Sequence, residues 1–276
     1  MKTVAVINHK GGVGKTTLTG CIAQALALCD FRVLAIDNDS QHNLSSMLGA
    51  GVCHPNIRDV YRSSADGAPQ MLLKTVRTTL VDGLHVVTAD RDLASVDVPD
   101  VYYLRRAIER AGLSRCYDYV VIDNAPGMES LQVCAIHTAD ELFVPTELRQ
   151  FAVDGIVEME RTLKERFHGA APITKIIPNF YRNVKRQNSF LAALQQLYPG
   201  KVTETVIPQD VVFDELVTEG KVLFLHRLYS RGAAYFLKLI HELFNLSEDD
   251  VWQRMIERRK KRRAEEARER VLNRNG

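Results

Sequence analysis

Residues Asn8 to Thr17 read Asn-His-Lys-Gly-Gly-Val-Gly-Lys-Thr-Thr, set between an apolar β-type run (Thr3 to Ile7) and a helical pattern that continues to about Cys29. A strand, a glycine-rich loop and a helix in that order leave little freedom. Gly11, Gly12 and Gly14 let the backbone turn its N–H groups inward at a helix N-terminus, which makes a nest for an anion. Lys15 can reach terminal phosphates as a point charge, and the Thr16 hydroxyl can sit on Mg²⁺. Val13 and Thr17 complete the candidate nucleotide-binding stretch. The usual spacing calls for glycine at position 9, where this chain has His9, and a second lysine, Lys10, stands directly before the glycines. The bland alternative is a glycine-rich turn with two solvated lysines.

Two more strand-like runs end in acid. Arg32 to Ile36 leads into Asp37-Asn38-Asp39-Ser40-Gln41, and Tyr117 to Asp123 ends in aspartate before Asn124-Ala125-Pro126-Gly127. Carboxylates at the C-terminal ends of strands lie where open α/β sheets bind ligands. Asp37 and Asp39 are two apart and share a face if the chain is extended there. Asp123 stands where a carboxylate is needed near Mg²⁺ beside a phosphate loop.

The extra Lys10 together with these acidic strand ends resembles the deviant Walker A site of the ParA/MinD ATPases. The likeness runs from Met1 to about Leu246. It implies that Lys10 reaches across a nucleotide-sandwich homodimer to the partner's phosphates, and that Lys10, Lys15 and Asp39 form the catalytic set. Asp37-x-Asp39-Ser40-Gln41 is similar to the family's second motif, with Ser40 in place of its proline. By that match Asp39 orients and activates the attacking water, while Asp37 supports the shell of a Mg²⁺ served by Thr16 and Asp123. Asn179 is implied at the adenine edge, with Pro208 to Asp210 packing along the base. The family's second proline and small polar residue after Asp123 are absent from Ala125-Pro126-Gly127. The resemblance further implies ATP and Mg²⁺ as cofactors, nonspecific DNA binding by the dimer, and a ParB-like or cargo-adaptor protein that stimulates hydrolysis. It places the protein in the cytoplasm, associated with the nucleoid.

The rest of the chain reads as strands alternating with helices, which predicts a doubly wound, mostly parallel α/β sheet. Expected strands are Leu84 to Thr88, Glu141 to Thr146, Ile173 to Pro178 and Val202 to Ile207. Expected helices are His42 to Leu48, Ile57 to Tyr61, Val101 to Ala111 and Phe151 to Phe167; Met71 to Thr79 is ambiguous. At 276 residues the chain suits one large domain. No apolar run approaches the roughly 18 residues of a spanning helix, and a strand that starts at once leaves no room for a signal peptide. Five scattered cysteines without a Cys-x-x-Cys pair suggest reduced structural thiols, which weakens a metallocluster carrier on the same scaffold and leaves a metabolic enzyme such as an amidoligase as a rival.

Residues 1–246 form the expected ATPase unit and 247–276 a basic, helical extension. The net charge of +2 is uneven: Arg254 to Gly276 holds ten Lys/Arg against four Asp/Glu, a net of +6, so the remainder carries −4. Arg258 to Arg263 is an unbroken basic run, followed by a mixed-charge stretch containing Glu265, Arg268, Glu269 and Arg270. Between Ile256 and Val271 only two alanines interrupt the polar residues, too little for the apolar face of a MinD-like membrane helix. The extension is a candidate for binding DNA or a partner rather than a membrane, with a solvated helix or a frayed end as its bland alternative. Arg182, Lys185, Arg186, Lys221, Arg227 and Arg231 are further DNA-binding candidates, each with solvated surface charge as its bland alternative.

Overall fold

The computed structural model describes residues 1–149 and 152–272, with the backbone alone at 217–219 and 266–272. The opening apolar run is strand β1 (Lys2–Val6), and the pattern after the glycines is helix α1 (Lys15–Leu28). Then follow β2 (Val33–Asn38), α2 (Asn43–Met47), α3 (Ile57–Arg62), α4 (Ala68–Thr75), β3 (Val76–Thr78) and β4 (Leu84–Val87). The central part continues with α5 (Tyr103–Arg110), β5 (Tyr119–Asn124), α6 (Ser130–Thr138), β6 (Glu141–Glu147), α7 (Ala152–Arg166) and β7 (Ile173–Asn179). The C-terminal third is helical: α8 (Lys185–Leu197), α9 (Val212–Glu219), α10 (Leu223–His226), α11 (Arg231–Phe244) and α12 (Glu248–Leu272).

The strands form one sheet in the order β3-β4-β2-β5-β1-β6-β7, parallel except for the antiparallel edge strand β3. Side chains alternate across each strand, so both faces need cover. Val4, Val6, Val33 and Ala35 face a layer built by α1, α2 and α9 to α12. Ala5, Ile7, Leu34 and Ile36 face the opposite layer, built by α3 to α8. This is the α/β fold that the alternation predicts. Helix α1 is buried along nearly its whole length, which explains why its sequence shows little polar face.

The ambiguous stretch Met71 to Thr79 divides into the end of α4 and strand β3. The expected start of a helix at Phe151 lies outside the described residues. One expected strand is absent: Val202 to Ile207 makes only isolated bridges along β7, through Val202 and, just beyond the run, Pro208. Local chemistry interrupts the ladder there. The Thr203 hydroxyl donates to the Thr205 carbonyl at 2.7 Å, and the N–H groups of Glu204 and Thr205 donate to the Glu242 carboxylate of α11 at 2.8 and 2.9 Å. Side chains of this type compete with strand hydrogen bonds for the backbone. Lys185 and Arg186, two of the DNA-binding candidates, begin the first turn of α8.

Removing the Glu242 carboxylate leaves two amides that have no ladder partner. Glu242→Ala should destabilise the protein by about 1–3 kcal/mol, read as a lower midpoint in chemical denaturation. An unchanged midpoint would show that water replaces the carboxylate at no cost.

Candidate functional site

Parallel register assembles the site. Val6 pairs with Asp123 across β1 and β5, and Asp37 pairs with Asp123 across β2 and β5. The loop that leaves β1 therefore runs past the ends of both acidic strands. The loop holds its own shape through Asn8. Its side-chain amide donates to the Pro145 carbonyl at 2.8 Å, and its side-chain oxygen accepts from the Lys10 N–H at 2.9 Å. Lys15 folds back over the loop, donating to the Lys10 carbonyl at 2.9 Å and the Asn8 carbonyl at 3.3 Å. Gly12 and Gly14 take left-handed φ values of 70° and 90°, which a residue with a Cβ resists. At Gly14 a Cβ would also come within 2.2 Å of the Asn179 amide nitrogen.

The acidic groups are buried. Asp37 and Asp123 are fully inaccessible, and Asp39 and Lys15 are nearly so. Asp123 accepts from the Thr16 hydroxyl at 2.7 Å and the Thr19 hydroxyl at 3.3 Å. Asp37 accepts from the Ser45 hydroxyl at 2.6 Å and the Ser45 N–H at 2.8 Å. The Asp39 carboxylate accepts from the Gln41 N–H at 2.9 Å, an acidic turn at the strand end. Burial, then the facing Asp37 charge, pushes Asp123 up to about 8, against the pull of Thr16. Burial pushes Asp37 up to about 6, although Ser45 favours its charged form. Burial lowers Lys15, opposed by Asp123 and Asp39.

Asp123 and Asp39 thus share one lysine, and Asp37 faces Asp123. A hard divalent cation fits this donor set: a Thr16 hydroxyl and buried carboxylate oxygens, with negative charge in excess. Among the described residues no group of three or more His, Cys, Asp or Glu side chains is arranged to hold a metal by itself. Mg²⁺ itself takes one or two protein ligands and completes its shell with waters and phosphate oxygens.

The other predicted positions fall as follows. Lys10 is exposed and, among the described residues, has no ionic partner. It shares with Arg149, Arg182 and Arg186 an open groove of about 410 Å³. Asn179 is close to the loop, but its amide donates to the Val13 carbonyl at 2.9 Å. With Gly14, Thr17 and Phe180 it lines a narrow cavity of about 40 Å³. Asp210 accepts from the N–H groups of Val212 and Gly232, at 3.1 and 2.9 Å, and so ties the start of α9 to α11. Arg182 bonds Gln209, and Arg186 and Arg231 lie over Phe190 and Tyr235. Arg227 pairs with Glu215 at 2.8 Å. Lys185 is exposed and Lys221 half-buried.

Sequence reasoning passed over Asn8, Thr19 and Ser45. Asn8 opens the motif and was legible as a loop-shaping side chain. Thr19 lies one helical turn after Lys15, a weaker signal, and nothing local marks Ser45. It also missed Asn38 and Asn124, whose side chains bond each other at 3.0 Å across the strand ends.

An AAA-domain family model matches residues 1–171. The chain is 34% identical over 260 residues to the chromosome partitioning protein ParA of Caulobacter vibrioides, covering 90% of this chain and 96% of the relative. It is 29% identical to the sporulation initiation inhibitor protein Soj of Bacillus subtilis, covering 88% and 98%. Among solved structures, the septum site-determining protein MinD of Pyrococcus horikoshii with Mg-ADP superposes with a TM-score of 0.74 at 25% identity, over 90% of this chain and 98% of that one. An ATP complex of a Cyanothece McdA variant gives 0.75 at 21% identity, over 90% and 97%.

Gly14→Ala tests the loop geometry. The left-handed backbone costs an L-residue about 1–2 kcal/mol, and the Asn179 clash adds to it. Affinity for a fluorescent ATP analogue should fall at least about tenfold while the fold is kept. Wild-type affinity would mean that the loop can bind in another conformation.

Proposed function

Because the chain belongs to the ParA/Soj family of partition ATPases, we propose that its site is a Mg²⁺-dependent ATP switch completed by a second copy of the chain. The observation that carries this reading is the contrast between the two lysines. Lys15 is buried and folded onto its own loop, whereas Lys10 stands exposed at the loop's rim without an ionic partner among the described residues. A charge so placed suits the phosphates of a nucleotide held by a partner subunit.

In this reading Lys15 and the loop amides hold the phosphates, and Thr16 and Asp123 hold Mg²⁺ with Asp37 supporting its waters. The metal supplies neutralisation of charge on the phosphate oxygens. Asp39 orients the attacking water, and little covalent chemistry is asked of the protein. Asn179 would meet the adenine edge and Pro208 to Asp210 would pack along the base, with Thr17 completing the loop. ATP favours the dimer through contacts that the monomer lacks, and hydrolysis releases them. The dimer binds DNA without sequence preference through Arg182, Lys185, Arg186, Lys221, Arg227 and Arg231, and a ParB-like or cargo-adaptor protein stimulates turnover. Residues 1–246 are the ATPase unit and 247–276 an extension of it. The job is partitioning a replicon or positioning a large cargo on the nucleoid. A membrane-cycling role has less support, since between Ile256 and Val271 only two alanines interrupt the polar residues.

Two substitutions separate the roles. Lys10→Ala should leave nucleotide binding by the monomer in place and abolish ATP-dependent dimerisation, measured by light scattering; a normal dimer would remove the cross-subunit role. Asp39→Ala should lower turnover by about 100-fold or more while an ATP-bound dimer accumulates. Unchanged turnover would reassign the water to another group. DNA affinity should rise when a slowly hydrolysed ATP analogue is added, and affinity indifferent to nucleotide would contradict the switch.

A further inference from the structure

The basic run near the end of the chain belongs to a docked helix. Val251 and Met255 of α12 are buried in the layer over α1, with Trp252 and Ile256 packed at its margin. Arg254 and Arg258, one turn apart, both pair with Asp30 just beyond the end of α1. Arg259 lies over the ring of Tyr229, 4.8 Å from its centroid, and that ring meets Trp252 edge-on. These inward contacts set the rotation of the helix. At 3.6 residues per turn Lys260 falls farthest from Met255, with Lys261 and Arg263 to either side of the packed stripe, and all three are exposed. Lys261 has only Glu265, at 3.9 Å; Lys260 and Arg263 have no ionic partner among the described residues.

Six consecutive cations place like charges at i,i+3 and i,i+4 throughout the run, from Arg258–Lys261 to Arg259–Arg263. Such pairs disfavour a helix unless an external anion offsets them. The matching partner is a polyanion of dense, regularly spaced charge, which a duplex phosphate backbone supplies. A bilayer is the poorer match, because nothing on the outer face is apolar enough to insert.

We propose that the outer face of α12 is a docking surface for duplex DNA that works without nucleotide. It attaches at the C-terminal end of α1, while the phosphate loop sits at the N-terminal end, about 20 Å away at 1.5 Å per residue. The surface lies away from the phosphate loop, beside α10 and α11, whose flanking Lys221, Arg227 and Arg231 belong to the ATP-gated set. It gives the monomer a standing, weak hold on DNA, and a dimer carries two such helices, which raises avidity without a new contact.

The test uses the intact protein, a labelled short duplex and a salt series, without nucleotide. The wild type should bind, and the triple variant Lys260→Gln, Lys261→Gln, Arg263→Gln should bind at least about tenfold more weakly. Its log–log salt slope should be shallower by about 2–3, one counterion-release increment per lost phosphate contact. The charge-preserving Lys260→Arg, Lys261→Arg, Arg263→Lys should keep the wild-type slope, and both variants should keep basal ATPase activity. The proposal is overturned if the wild type does not bind without nucleotide, if the neutral variant keeps affinity and slope, or if the protein binds phosphatidylglycerol vesicles and not DNA. Failure of the ATP-dependent increment alone would count against the switch and leave this surface standing.

Discussion

Two carboxylates on adjacent parallel strands, Asp37 and Asp123, face each other with no exposed surface and one buried lysine, Lys15, nearby. Burying charge without a partner is unfavourable, so the surroundings compensate group by group. Ser45 donates twice to Asp37, and Thr16 and Thr19 both donate to Asp123. The raised values of both acids show that compensation is incomplete. The glycine loop leaves β1 beside the ends of both acidic strands.

The same register governs how the loop is supported. Asn124 donates to the Val6 carbonyl at 3.2 Å, and Asn38 is bonded both to Asn124 and, at 3.0 Å, to the Tyr61 hydroxyl. These buried amides tie the ends of β1, β2 and β5 into one rigid rim. Helix α1 then links that rim to the far side of the layer, with Lys15 in its first turn and Asp30, clamped by two arginines of α12, just past its last. One helix therefore joins the nucleotide end of the molecule to its basic extension.

Much of this was legible because it is local. The loop, the acidic strand ends and the alternation of strand and helix rest on short-range patterns, and the observed elements agree with them to within a residue or two at most ends. The miss at Val202 to Ile207 has a nonlocal cause: an apolar, β-branched run lost its ladder to a glutamate some forty positions away. Only the last helix of the C-terminal third was read from the sequence; α9 and α10 are short and take their shape from packing on α1, α2 and α12. Ser45 could not be found from its neighbours because its importance comes from facing Asp37 across a turn.

The sequence by itself determined the chemistry at the site: a glycine loop with two lysines, a hydroxyl and three carboxylates at strand ends, in the order that a phosphate-binding sheet needs. It also determined that the C-terminal extension would be basic and helical. Tertiary structure decided which of these groups meet. Strand register placed Asp37 against Asp123, burial separated a sequestered Lys15 from an exposed Lys10, and the docking of α12 chose which of its cations face solvent. Side-chain chemistry is written residue by residue. Register, burial and helix rotation depend on contacts between segments far apart in the chain, and appear only when the fold brings them together.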